Sequence, residues 1–121
     1  MLPPETQLIR SLNEVLILAA LQPGPKHGYQ IAVDIEELSD GYFSFTHGTL
    51  YPILHQLEKE GLIDGEWESG GSRRRRKNYV ITSAGRSCLR ERVAGWWELH
   101  DSLSAFVVAS AAIRPDVAAN Q

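Results

Sequence analysis

Arg73-Arg74-Arg75-Arg76-Lys77 sets five cations in succession directly after the string Ser69-Gly70-Gly71-Ser72. Cations crowded beyond a flexible glycine tip suit a polyanion, because each can meet a phosphate and release a counterion. Alternation along the strand that follows aims only some of them at one surface. A basic run also serves elsewhere as a solubilising loop or a localisation tag. Upstream, Ser44, Thr46, His47, Thr49, Tyr51, His55 and Gln56 stand off an apolar helical stripe and carry short hydrogen-bonding groups at and after a helix N-terminus. Such groups reach phosphates and base edges, although an ordinary solvated helix face has the same composition.

The formal net charge of −3 argues against a nucleic-acid partner only in bulk. Residues 1–66 hold three basic side chains against ten acidic ones, whereas residues 73–92 hold eight basic ones against Glu91 alone. The local field, more than the total, decides what the basic segment attracts.

The elements that must position these groups follow from periodicity. Between Glu5 and Gln22, Leu8, Leu12, Val15, Leu16 and Ala19 recur at three- and four-residue steps on one helix face, and Pro23-Gly24-Pro25 ends the helix. A second helix starts near Gly28, buries Ile31, Ala32, Ile35 and Leu38, and stops at Asp40-Gly41. A third, starting close to Thr46, carries Leu50, Ile53, Leu54 and Leu57, with Gly61 in place for a left-handed cap. Pro52 near its start removes one N–H and crowds the Gly48 carbonyl. Ile63, Gly65 and Trp67 alternate with Asp64, Glu66 and Glu68, and Lys77 to Thr82 is rich in β-formers, so a hairpin follows. Thr82 or Ser83 then caps a long helix that runs to about Ala112.

On that last helix Leu89, Val93, Trp96, His100, Leu103 and Val107 advance by alternating steps of four and three, the repeat of a coiled-coil seam, and Trp97, Leu99 and Phe106 widen the apolar surface. So broad a face calls for a second copy of the chain, alongside contact with the first helix. His27, His47, His55 and His100 lack the spacing of a metal cluster, although His47 and His55 lie two turns apart and could meet across partners. Cys88, the single cysteine, permits no intrachain disulfide and reads as a small buried hydrophobe or, less simply, a thiol sensor. No nucleophile stands with a base and no glycine loop cradles a phosphate, so an enzyme is not expected. Neither a metal nor a cofactor is expected.

His27-Gly28-Tyr29-Gln30-Ile31, Gly48-Thr49-Leu50-Tyr51-Pro52, Leu57-Glu58-Lys59-Glu60-Gly61-Leu62-Ile63, and Tyr79-Val80-Ile81-Thr82 with Gly85-Arg86 resemble the PadR regulators. The resemblance runs from about Asn13 to Trp97, and its most specific part is Gly-Thr-Leu-Tyr-Pro followed by Leu-Glu-Lys-Glu-Gly. It implies a mainly α fold with a small β-hairpin wing: a winged helix-turn-helix on a long C-terminal dimerisation helix. It also implies a homodimeric transcription factor, usually a repressor, whose third helix reads palindromic double-stranded operator DNA. Tyr29, Gly48 and Pro52, within the shared strings, complete the expected DNA-binding set. Leu8 and Leu12 join the seam residues at the expected dimer interface, because in the family the terminal helices cross the partner's first helices.

In some members of the smaller subgroup a tryptophan of the last helix lines a pore between subunits and stacks on planar aromatic drugs. Counting from Gly85, Trp96 stands at the matching place and Trp97 follows it, so either ring could face such a pore, and simple packing of the interface is the plainer use of both. The expected division is residues 1–83 as the DNA-binding domain, 84–112 as the dimerisation helix and 113–121 as a tail. Met1 to Thr6 lack the features of a secretory signal and no apolar run approaches a membrane span, so a cytoplasmic protein is expected. A protein-interaction module built on the same winged fold would need no five-cation wing.

Overall fold

The computed structural model describes residues 5–68 and 76–110. Along the chain run α1 (Glu5–Leu21), β1 (Lys26–His27), α2 (Gly28–Leu38), α3 (His47–Lys59), β2 (Ile63–Trp67), β3 (Lys77–Ile81) and α4 (Ser83–Ala109). The fold is mainly helical with a small antiparallel sheet, the winged-helix arrangement that the sequence implies. The sheet gains a strand that periodicity does not reveal: β1, two residues long, pairs with β3 in the order β1-β3-β2. Lys26 faces Tyr79 and His27 faces Asn78, while Ile63 pairs with Ile81 and Trp67 with Lys77.

One core joins the helices to the sheet. Ile17, Leu18 and Leu21 of α1, Ile31 and Ile35 of α2, Leu50, Leu54 and Leu57 of α3, Ile63, Tyr79 and Ile81 of the sheet, and Leu89 of α4 all contribute. The face of α1 that enters it differs from the expected stripe. Leu8 and Leu12 are 47% and 40% exposed, while Ile17, Leu18 and Leu21 are closed off completely. Residues 15–21 are apolar nearly all round, so a 3.6-residue period fits two faces equally well. Leu38, also expected inside, is 84% exposed at the end of α2. The helix has run past the core there, and Asp40 and Gly41 turn the chain away through positive φ values of 52° and 79°.

Local chemistry sets the ends of α3 and α4. The Thr46 hydroxyl accepts from the Thr49 N–H at 3.3 Å, and the chain leaves α3 through Gly61 at φ 78° with the Leu62 N–H donating to the Leu57 carbonyl at 3.0 Å. Thr82 caps α4 by accepting from the Gly85 N–H at 3.0 Å while its own hydroxyl donates to the Gly61 carbonyl at 2.7 Å. Gly85 lies so close to the Leu62 carbonyl that any Cβ would collide with it. The root of α4 is thereby pinned to the turn that follows α3.

A buried carboxylate makes the second attachment of α4. Glu14 of α1 accepts from Arg92 at 3.1 Å and lies 3.7 Å from Arg10, whose other end reaches Glu60 at 2.8 Å. Burial opposes the Arg92 charge, but the Glu14 carboxylate outweighs it and raises the guanidinium above its ordinary value. Leu89, expected on the dimer seam, is instead 5% exposed inside this chain's own core. Beyond Arg92 the helix leaves the domain and its apolar residues lie open. The expected end near Ala112 and the tail 113–121 fall outside the described residues.

Candidate nucleic-acid interface

Three elements frame an open groove of about 820 Å³: the start of α2, the outer face of α3, and the β2–β3 hairpin with β1 beside it. Tyr29, His47, Tyr51, His55 and Arg76, all expected DNA-binding residues, line it together, and Lys77 lies on its wing side. Residues 47, 51 and 55 recur every four positions, which places them along one edge of α3.

An aromatic ladder orders that edge. His47 stands between Tyr29 and Tyr51, with ring centroids 6.4 and 5.7 Å away and interplanar angles of 26° and 24°. Tyr51 in turn lies flat against the start of α2, where Gly28 leaves room for it. Stacking restrains the imidazole plane while its two nitrogens stay at the ring edge, outside the stack.

Other expected residues are placed differently. Ser44 precedes α3, in the loop, and is exposed; Thr46 spends its hydroxyl on the helix cap. Gly48 and Thr49 are exposed in the first turn, and a Cβ on Gly48 would meet nothing within 4 Å. Gln56 and Pro52 turn to the opposite side, toward Arg10 and Asn13 of α1, and the Gln56 amide donates to Glu60 at 3.2 Å. Position 56 is about 100° round the helix from 55, so one edge cannot present both. Lys77, counted with the basic run, donates to Glu58 of α3 at 2.7 Å. Arg73, Arg74 and Arg75 lie outside the described residues.

Periodicity missed five groove residues: His27, Gly28, Gln30, Trp67 and Tyr79. His27 sits 2.6 Å from Glu68, and Lys26 beside it pairs with Asp34 of α2. The hydrogen bond from Lys26 holds the Asp34 carboxyl below its usual range, against a smaller opposing effect of burial. Burial, with Glu58 adding to it, pushes the Tyr79 hydroxyl up. The β1 pairing that brings Lys26 and His27 here has no signal of its own in two residues; Trp67 could have been found from its register opposite Lys77.

The model of the transcriptional regulator PadR-like family matches residues 17–91, from the last turn of α1 to the first turns of α4, and hence the whole groove. The chain belongs to the PadR-like family of transcriptional regulators. That family comprises regulators, not enzymes. This PadR-like chain is 30% identical over 105 residues to an uncharacterized protein of Lysinibacillus sphaericus, covering 84% of itself and 94% of that protein. A solved transcriptional regulator from Clostridium thermocellum is similar at TM-score 0.74 and 29% identity, over 84% of this chain and 98% of that one. Bacillus subtilis PadR, solved in complex with operator DNA, is similar at TM-score 0.62 and 28% identity over 68% of this chain. The PadR-like chain spans only 46% of that longer protein.

A second surface of this PadR-like regulator lies on the free part of α4. Trp96 is 52% exposed and stacks on His100 at 5.1 Å and 23°, while Trp97 meets His100 edge-on at 5.4 Å. Trp96, Leu99, His100, Leu103 and Val107 line an apolar hollow of about 360 Å³ that does not include Trp97. Val93, Leu103 and Val107 are exposed there, as are Leu8 and Leu12 on α1. Among the described residues no group of three or more His, Cys, Asp or Glu side chains is placed to hold a metal, and no helix is long and apolar enough to cross a membrane.

Proposed function

We propose that this protein is a homodimeric, sequence-specific DNA-binding repressor of the cytoplasm, with α3 reading the major groove of a palindromic operator and the hairpin lying along the backbone. The observation that carries the reading is the convergence of Tyr29, His47, Tyr51, His55 and Arg76 on one open groove. A stacked histidine and two tyrosines supply hydrogen-bonding edges to bases, and the basic wing supplies phosphate contacts. The operator complex of Bacillus subtilis PadR supports the same assignment by likeness of fold and family.

The dimer would join through the exposed part of α4, with Val93, Trp96, His100, Leu103 and Val107 facing the partner and Leu8 and Leu12 of α1 beneath its terminal helix. A chain that leaves this many large apolar side chains open has reason to cover them with a second copy. The hollow beside Trp96 offers a planar aromatic effector a seat on the same surface, and binding there would release the operator.

Selection of bound duplexes from a random pool, followed by anisotropy titration across salt, tests the DNA reading. A palindrome with half-sites about one turn, roughly 10 base pairs, apart should emerge. Neutralising Arg73 to Arg76 should flatten the salt dependence by about 0.9 for each phosphate no longer neutralised, and His47→Ala should change the preferred sequence. Enrichment of no sequence from the pool would overturn the assignment.

A further inference from the structure

Lys77 opens β3 in the middle of the groove wall, where a cation would ordinarily be counted toward DNA affinity. Its ammonium is already held. The Glu58 carboxylate of α3 accepts from it at 2.7 Å, and the carboxylate and lysine side chains are 28% and 21% exposed respectively. The ring centroids of Trp67 and Tyr79 lie 5.6 and 5.5 Å from the same nitrogen. Its stem crosses β2 at Gly65, where any Cβ would collide with the Lys77 Cε. The missing side chain at 65 therefore opens the path from the wing to α3. A carboxylate and two π faces compensate one charge.

We infer that Glu58 is an affinity-limiting residue: it withholds the Lys77 charge from phosphate and so weakens binding to DNA of any sequence, operator included. This rests on the DNA-binding reading above. Sequence-independent affinity grows with the number of cations that can neutralise phosphates. Lys77 would have to exchange an internal ion pair for a phosphate, so it adds little to that number. Operator binding adds base contacts to the same phosphate contacts, so a masked cation weakens both modes alike. Lys26 of the neighbouring β1 follows the same pattern, paired with Asp34.

The test uses the full chain and its Lys77→Gln, Glu58→Gln and doubly substituted forms, titrated against the selected operator and a random duplex. Salt would span roughly 50 to 200 mM, and circular dichroism would verify folding. Lys77→Gln should bind both duplexes more weakly, most of all at low salt, where repulsion by the bared Glu58 is least screened. Glu58→Gln should steepen the slope by about 0.9 and tighten binding to both duplexes about fivefold at physiological salt, leaving their ratio near the wild-type value. The double variant should return to the wild-type slope. A double variant flattened by about 0.9 relative to wild type would make Lys77 a direct phosphate ligand and overturn the inference, as would an unchanged slope in Glu58→Gln. Should Glu58→Gln alone fail to fold, the slope of the double variant decides. Wild type that binds neither duplex overturns the DNA-binding reading itself, a result separate from either of these.

Discussion

Tyr51 lies against Gly28 so closely that a Cβ on the glycine would stand 2.9 Å from the tyrosine hydroxyl and 3.0 Å from its Cε1. This approach joins the start of α2 to the outer edge of α3 and fixes the ring on which His47 stacks. Gly28→Ala should therefore displace Tyr51 and unsettle His47. Because Tyr51 is partly exposed and can swing outward, the stability loss should stay near the lower end of overpacking, about 1 kcal/mol by urea denaturation. Operator affinity should fall about tenfold in the same variant, the size expected when one base-edge hydrogen bond is removed. Unchanged operator affinity would show that the ladder is not part of the reading surface.

Removing residues 93–121 should yield a folded monomer. Leu89 and Arg92 remain, so the core and the Glu14 clasp are intact, while the exposed apolar run of α4 is gone. Sedimentation velocity would report the change; a truncated chain that still sediments as a dimer would place the interface elsewhere.

Trp96, not Trp97, lines the hollow on α4, and that difference predicts which ring meets a planar guest. Titrating cationic dyes against tryptophan fluorescence should give quenching in wild type and in Trp97→Ala that disappears in Trp96→Ala. Stacking of one ring pair contributes roughly 0.5 to 1.5 kcal/mol beyond burial, so the loss of affinity in Trp96→Ala should be about two- to thirteenfold.

Asp34 contributes to stability with a definite sign in pH. Its carboxyl is held below the unfolded value of 3.8, chiefly by the hydrogen bond from Lys26, with Gln30 adding another at 2.7 Å. A lowered folded value means that the contribution is complete above the unfolded value and is lost as pH falls through the folded one. The melting temperatures of wild type and Asp34→Asn should differ by a constant amount at neutral and mildly acidic pH, and the gap should narrow only in strong acid.

Burial raises the Cys88 thiol, and the Glu14 carboxylate 3.9 Å away adds to the effect. The nucleophilic thiolate is correspondingly scarce at neutral pH. Iodoacetamide should label Cys88 slowly in the native protein and much faster in urea, and rapid native labelling would reopen a sensing role.

The regular elements of this chain were legible because their signals are local. Thr46, Gly61 and Thr82 mark helix ends by side-chain chemistry and by tolerance of positive φ, and Leu50, Leu54 and Leu57 mark a core face by spacing. What stayed hidden depends on neighbours distant along the chain. Nothing within α1 shows that Ile17 and Leu18, and not Leu8 and Leu12, meet the core, since both faces are apolar. Lys77 reads as one more wing cation until Glu58, nineteen positions away, is seen to hold it. His47 and Gln56 look equivalent as polar helix residues, yet helical rotation sends one to the groove and the other to α1. The site was therefore visible as a composition and became a geometry only once β1, α2 and the hairpin closed around α3.

Gly85 turns α4 into a lever. Its bare Cα rests on the Leu62 carbonyl at one end of a helix of 27 residues, roughly 40 Å long at 1.5 Å per residue. Held to the domain there and again at Arg92, the helix turns with it as one body, and a tilt of about five degrees sweeps the far tip through roughly 3.5 Å, close to the thickness of one aromatic ring. In an assembly joined along the outer part of α4, a single flat guest is thus commensurate with a rotation of only a few degrees at each root. In the proposed dimer, each root, pinned beside the turn that ends α3, would carry that rotation to α3 as a change of pitch against the proposed operator.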